Sequence, residues 1–239
     1  MKAEIWYLYH SGFAVKTDTH FFIFDYYLDS PKGHDLDAGV IDPEEIKDLD
    51  VVVFVSHSHG DHYNPAIFDW RKTIKRIRYV LSDDIITGEE VLMVSPGQEY
   101  NLDGLSVTTL ESTDLGVAFL IKADDFCIYH AGDLNDWYWN GERDEANFAM
   151  TQRYREQIDT LKGEKIDIAF IPVDPRLEDK SLRGIDYFMR TVGASLTLPM
   201  HFGSDLSALE QLKTNAIADD YRGNVANFSR RGSRIIYSK

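Results

Sequence analysis

Val51-Val52-Val53-Phe54-Val55-Ser56-His57-Ser58-His59-Gly60-Asp61-His62 is the stretch on which the reading of this chain turns. Its first five residues are apolar and mostly β-branched, too short a run for a typical helix, and predict a buried strand. The last six place three imidazoles and one carboxylate where that strand gives way to a loop. A rigid strand end is a usual place to hold a site. Imidazole and carboxylate are donors that zinc, manganese and iron accept from proteins. His57 and His59, spaced two apart, can face one centre, while Asp61 and His62 can turn to a second beside it. Gly60 offers backbone freedom for that turn. A merely solvated histidine-rich loop is the bland alternative, and the density and spacing of donors favour a metal site.

The order H-x-H-x-D-H after a buried strand resembles the signature of the metallo-β-lactamase superfamily. Tyr129-His130-Ala131-Gly132-Asp133, after the apolar Phe126 to Tyr129, is similar to the family's Gly-Asp element. Pro199-Met200-His201-Phe202-Gly203, after Ser195 to Leu198, resembles its last histidine. Phe21 to Asp25 resembles the strand whose terminal aspartate supports the site from behind. His10-Ser11-Gly12-Phe13 is similar to the opening of a branch that holds ascorbate-phosphate lactonases and many metal-dependent hydrolases. The resemblance implies that His57 and His59 bind a first metal, that Asp61, His62 and His201 bind a second, and that Asp133 bridges them. It also implies that Asp25 orients a ligating histidine. Many relatives carry one more histidine between the cluster and the bridging aspartate. Here that region reads Thr109 to Gly116 without one, so Ser112, Thr113, Asp114 or water is left to fill the place.

At 239 residues the chain fits one domain, 1–239, or two intimately packed halves. A formal charge of −15, spread along the sequence, repels phosphate backbones and argues against nucleic acid as a partner. A small-molecule substrate is expected instead, and the oligomeric state stays open. The single cysteine, Cys127, lies in an apolar strand and reads as a small core residue rather than a nucleophile. Met1 to Tyr9 is no signal peptide, and no window approaches the apolar length of a membrane span, so a cytoplasmic location is the expectation.

Strands are expected over Glu4–Tyr9, Phe13–Thr17, Phe21–Asp25, Val51–Val55, Arg78–Ser82 and Leu105–Leu110 in a first half. A second half should hold Val117–Lys122, Phe126–Tyr129, Asp167–Ile171 and the strand before His201. Asn64 can cap a short helix with Pro65 at its first position. A longer helix is expected from about Asp144 to Lys162, with Met150, Tyr154, Ile158 and Leu161 on one face and Gly163 ending it. Others are expected between Leu182 and Thr191 and near Asp205 to Ala218. Periodicity alone gives a mixed α/β domain, and the resemblance implies a four-layered αββα sandwich of the metallo-β-lactamase type.

Several side chains carry two readings. His10 contacts substrate or a ligand, or satisfies a core hydrogen bond. His130 is a partner of the site, an extra ligand, or filler at a strand end. His20 and His34 read as surface residues. Trp137 and Trp139, in the aromatic run that follows Asp133, form either a core cluster or an apolar wall for substrate. Arg176, just past Asp174, grips an anionic substrate group or pairs with Asp174 or Glu178.

The resemblance implies metal-dependent hydrolysis, a metal-bound hydroxide attacking a small-molecule ester, lactone or phosphate-bearing substrate. Asp61 and Asp133 are the expected catalytic carboxylates. Two divalent ions are the expected cofactors, zinc first, with manganese or iron as alternatives. Two other readings stand beside this one: a metal-binding protein whose first site is crippled by the missing histidine, and an iron-dependent redox member.

Overall fold

The computed structural model describes residues 1–239, which form two compact units, Met1–Ser95 with Phe228–Lys239 and Pro96–Asn227. In the first unit, β1 (Lys2–Tyr9), β2 (Gly12–Lys16) and β3 (His20–Phe24) pair antiparallel. β4 (Asp50–Val55), β5 (Arg76–Ser82) and β6 (Leu92–Val94) then continue the same sheet in parallel with β3. The C-terminal strand, Arg234–Ser238, closes the other edge against β1. Parallel strands covered on both faces read as unbroken apolar runs. Val51 to Val55 are accordingly all fully buried.

Returning between parallel strands requires crossover segments. α1 (Pro43–Ile46) and a 3₁₀ helix, Pro65–Lys72, lie in two of them. The second has the expected cap: the Asn64 side chain accepts from Ala66 N–H, and Pro65 opens the helix. Ile67 and Trp70 turn inward onto a core that includes Tyr26, Val53, Tyr79 and Leu81.

The second unit repeats this plan. β7 (Glu99–Leu102), β8 (Leu105–Glu111), β9 (Val117–Ala123) and β10 (Phe126–His130) form an antiparallel meander. β11 (Ile166–Pro172) and β12 (Ala194–Met200) add in parallel to β10. α2 (Asp144–Asp159), α3 (Arg183–Thr191) and α4 (Ser207–Thr214) belong to this unit.

Four expectations need correction. Leu105–Leu110 belongs to the second unit, because it pairs on both edges with β7 and β9. α2 stops at Asp159, and its buried face is Asn147, Thr151, Tyr154 and Ile158. Met150 is only half-buried, and buried Leu161 falls past the helix end. The last helix is interrupted at Asn215, whose extended backbone separates α4 from a 3₁₀ turn at Ala216–Ala218. His20 is half-buried rather than superficial, stacked 5.3 Å from Phe22 at the start of β3, whereas His34 is exposed.

Candidate metal centre

In both units the polar groups gather where parallel strands end, the edge at which open α/β sheets present ligands. In the first unit, Asp25 follows β3, the histidine cluster follows β4, and Asp84 lies just past β5. Asp25 is fully buried. It accepts from Ser56 N–H at 2.8 Å, from Ser56 Oγ at 2.7 Å and from His62 Nδ1 at 2.8 Å. Ser56 Oγ also lies 3.0 Å from His57 Nδ1. A hydroxyl has one hydrogen, and here it points at the carboxylate. Ser56 therefore accepts from His57, which puts the proton on Nδ1. One carboxylate thus sets the tautomers of two buried imidazoles and leaves the lone pair of each on Nε2.

The loop closes on itself through His62 N–H to His59 O at 3.0 Å. Gly60 has an ordinary backbone angle there, and a Cβ would meet nothing, so its freedom is not what shapes the turn. Ser58 N–H donates to Asp84 Oδ2 at 2.9 Å. His57 Nε2 and His59 Nδ1 stand 3.1 Å apart. His10, Asp61 and His62 each offer a donor atom, all three within 4.8 Å of one another. His10 holds the Asp61 carboxyl well below the usual carboxylate range.

In the second unit, Asp133 follows β10, Asp174 follows β11 and His201 follows β12. His201 Nδ1 donates to Asp174 at 3.0 Å, and His201 Nε2 lies 3.2 Å from Asp133 Oδ1. Burial disfavours the imidazolium, but the two carboxylates outweigh it and push His201 up to about 10. Arg176 answers to its plainer reading: its backbone N–H and its guanidinium both bind Asp174. With His201 they hold the buried Asp174 at about 2, against a burial effect that would raise it.

The aromatic run after Asp133 is tied down by polar side chains. Trp137 Nε1 donates to Asp133 O at 2.9 Å, and the Trp137 ring meets His201 edge to face at 5.3 Å. Asn147 on α2 binds both backbone groups of Trp139. Asp136 accepts from Thr151 at 2.7 Å and from Arg183 at 3.0 Å. Trp137 is buried, and Trp139 is 38% exposed beneath the Arg176 guanidinium.

The segment without the family histidine is also in use. Thr113 Oγ1 donates to Asn135 O at 2.7 Å and accepts from Asn135 N–H. Ser112 Oγ accepts from Asp114 N–H. Asp114 is exposed, and its carboxylate lies within 4.8 Å of that of Asp133. His130 is fully buried at the end of β10, where its Nδ1 accepts from Gly132 N–H.

Ser56, Asp84, Asp136, Asn147 and Arg183 carry positioning contacts that the motif does not contain. A polar residue just after an apolar parallel strand was the signal for Ser56 and Asp84. The donors of each unit are imidazole nitrogen and carboxylate oxygen, a chemistry that suits divalent cations. Cys127 sits within β10 and supplies no thiolate to the set.

A family model described as a β-lactamase superfamily domain matches residues 4–144, and the chain belongs to that family. That span includes His10, Asp25, the histidine cluster and Asp133, and ends before Asp174 and His201. None of the curated proteins compared with the chain matches it. Among solved structures, the metallo hydrolase Igni18 of the archaeon Ignicoccus hospitalis is 16% identical, with all of both chains covered and a TM-score of 0.66. The metallo-β-lactamase fold protein YhfI of Bacillus subtilis is 13% identical over 99% of each chain, with a TM-score of 0.61. CmlA, a diiron β-hydroxylase of Streptomyces venezuelae, is 13% identical over 98% of this chain and 54% of its own, with a TM-score of 0.63. The fold is therefore of the metallo-β-lactamase α/β sandwich class.

Proposed function

We propose that the protein is a metal-dependent hydrolase acting on a small-molecule ester, lactone or phosphate-bearing substrate. Its ligands in this reading are His57, His59, Asp61, His62, Asp133 and His201. The observation that carries it is the carboxylate behind three of the four buried imidazoles: Asp25 behind His62 and, through Ser56, behind His57, and Asp174 behind His201. Ordinary core histidines do not need their tautomers set in this way, whereas ligating ones do. Divalent cations, when bound, supply the Lewis acidity that makes water a nucleophile near neutral pH. The chain's own part is to hold the donors rigid and, at His57 and His62, to present an Nε2 lone pair. Trp137 and Trp139 supply an apolar wall beside His201.

The test is metal analysis of the purified chain together with hydrolysis of a panel of lactones, carboxylic esters and phosphate esters. Hydrolysis that a chelator abolishes and zinc or manganese restores supports the reading. Bound iron with visible absorption moves it to redox chemistry, and stoichiometric metal without hydrolysis of any panel member leaves a binding protein.

A further inference from the structure

We propose that His10 is itself a metal ligand, forming with Asp61 and His62 a three-donor set built wholly within the first unit. The proposal rests on the metal-centre reading above and extends its ligand list. Two kinds of spacing occur among the polar groups of this unit. Hydrogen bonds that orient side chains are short: 2.8 Å from His62 Nδ1 to Asp25 and 2.7 Å from Ser56 Oγ to Asp25. His10 Nε2 and Asp61 Oδ2 stand 3.5 Å apart, near the 3.1 Å between His57 Nε2 and His59 Nδ1. A charge-assisted hydrogen bond settles at about 2.7–2.9 Å. Two donors held about 2.0–2.1 Å from one cation, at octahedral to tetrahedral angles, stand about 2.9–3.4 Å apart. The His10–Asp61 spacing is thus long for a charge-assisted hydrogen bond and close to the edge of a coordination shell. All three donor atoms lie within 4.8 Å of one another, so closing around one ion needs shifts of about an ångström.

The backbone delivers His10 to that place at some expense. Pairing between β1 and β2 slips register between Tyr7 and Tyr9, and His10 takes a left-handed φ of 55°. Such a conformation costs about 1–2 kcal/mol outside glycine and persists where surrounding contacts over-determine it. Those contacts are present: His10 N–H donates to the buried Tyr7 hydroxyl at 2.9 Å, and the ring packs edge to face on Tyr27 and on His62. The His10 side chain is 13% exposed and the Asp61 side chain 49%. An aspartate so open needs no histidine to satisfy it.

Cobalt(II) titration of the metal-free protein tests this, read by ligand-field absorption and affinity, with His10→Ala and His10→Gln as variants. Gln keeps a donor for Asp61 and loses the imidazole. A direct ligand predicts that both variants weaken one binding event at least ~100-fold, beyond the ~10–100-fold expected of an outer partner. It also predicts that cobalt shifts the His10 ring resonances of the unmodified protein as strongly as those of His62, a readout that needs no variant. Wild-type affinity in His10→Gln beside a loss in His10→Ala overturns the proposal, leaving His10 as a hydrogen-bond partner of Asp61. Unchanged affinity in both variants also overturns it and leaves the metal reading intact. Failure of the unmodified protein to bind any divalent ion overturns both.

Discussion

Asp25 sits at φ 42° in the left-handed region, fully buried, with three hydrogen bonds converging on its carboxylate. Asn tolerates that backbone region almost as well. Asp25→Asn should therefore fold while losing the carboxylate that sets the His57 and His62 tautomers, and metal affinity should fall ~10–100-fold. Equilibrium dialysis with zinc reads this directly, and unchanged affinity would show that Asp25 supports only the fold. His201 is also left-handed, at φ 66°. His201→Asn removes the imidazole without adding the strain that alanine would bring, and should cost one of two binding events. Asp114 is the residue of its segment whose carboxylate lies near Asp133, since Ser112 and Thr113 are engaged in local hydrogen bonds. Asp114→Ala is expected to weaken one binding event in a zinc titration and leave the other, whereas loss of neither would assign the place to water.

At the scale of elements, parallel strand ends place these groups, and the supporting helices keep them there. Gly184 on α3 lies so close to the Asp133–Trp139 loop that an added Cβ would stand 1.9 Å from Asn135 Oδ1. Asn135 is buried and cannot simply swing out to solvent. Gly184→Ala should destabilise by about 1–3 kcal/mol, as overpacked sites do. A thermal melt should show a lower midpoint, and an unchanged one would mean that the loop adapts freely. Much at this scale was legible beforehand. β4 declares itself by an unbroken apolar run, and the Asn64–Pro65 cap by its side-chain chemistry. β6, β7 and the C-terminal strand were not legible, because they are only 3, 4 and 5 residues long and largely half-exposed or exposed. The pairing of Lys2 with Ser238 is a long-range event that no local pattern announces. The support given by Asn147 and Thr151 was hidden because polar residues on a helix read as its wet face, and these turn inward to hold a loop.

For the whole molecule, the fold persists at 16% identity to Igni18 with all of both chains covered. No helix is long and apolar enough to cross a membrane. Forty acidic residues against 25 basic ones leave a net charge of −15, a field that favours cation uptake. Metal that binds only the folded chain stabilises it by about 4 kcal/mol at a thousandfold excess over its dissociation constant. For a chain of this size that corresponds to roughly 8–16 °C in Tm. Chelation should lower the melting midpoint by that order, and added zinc should restore it. The central claim is that the carboxylate-backed histidines form a metal centre. Elemental mass spectrometry of the zinc-loaded, gel-filtered protein measures it most directly. About two ions per chain are expected, falling in Asp133→Ala. Retention of no stoichiometric metal by the unmodified protein would contradict the account.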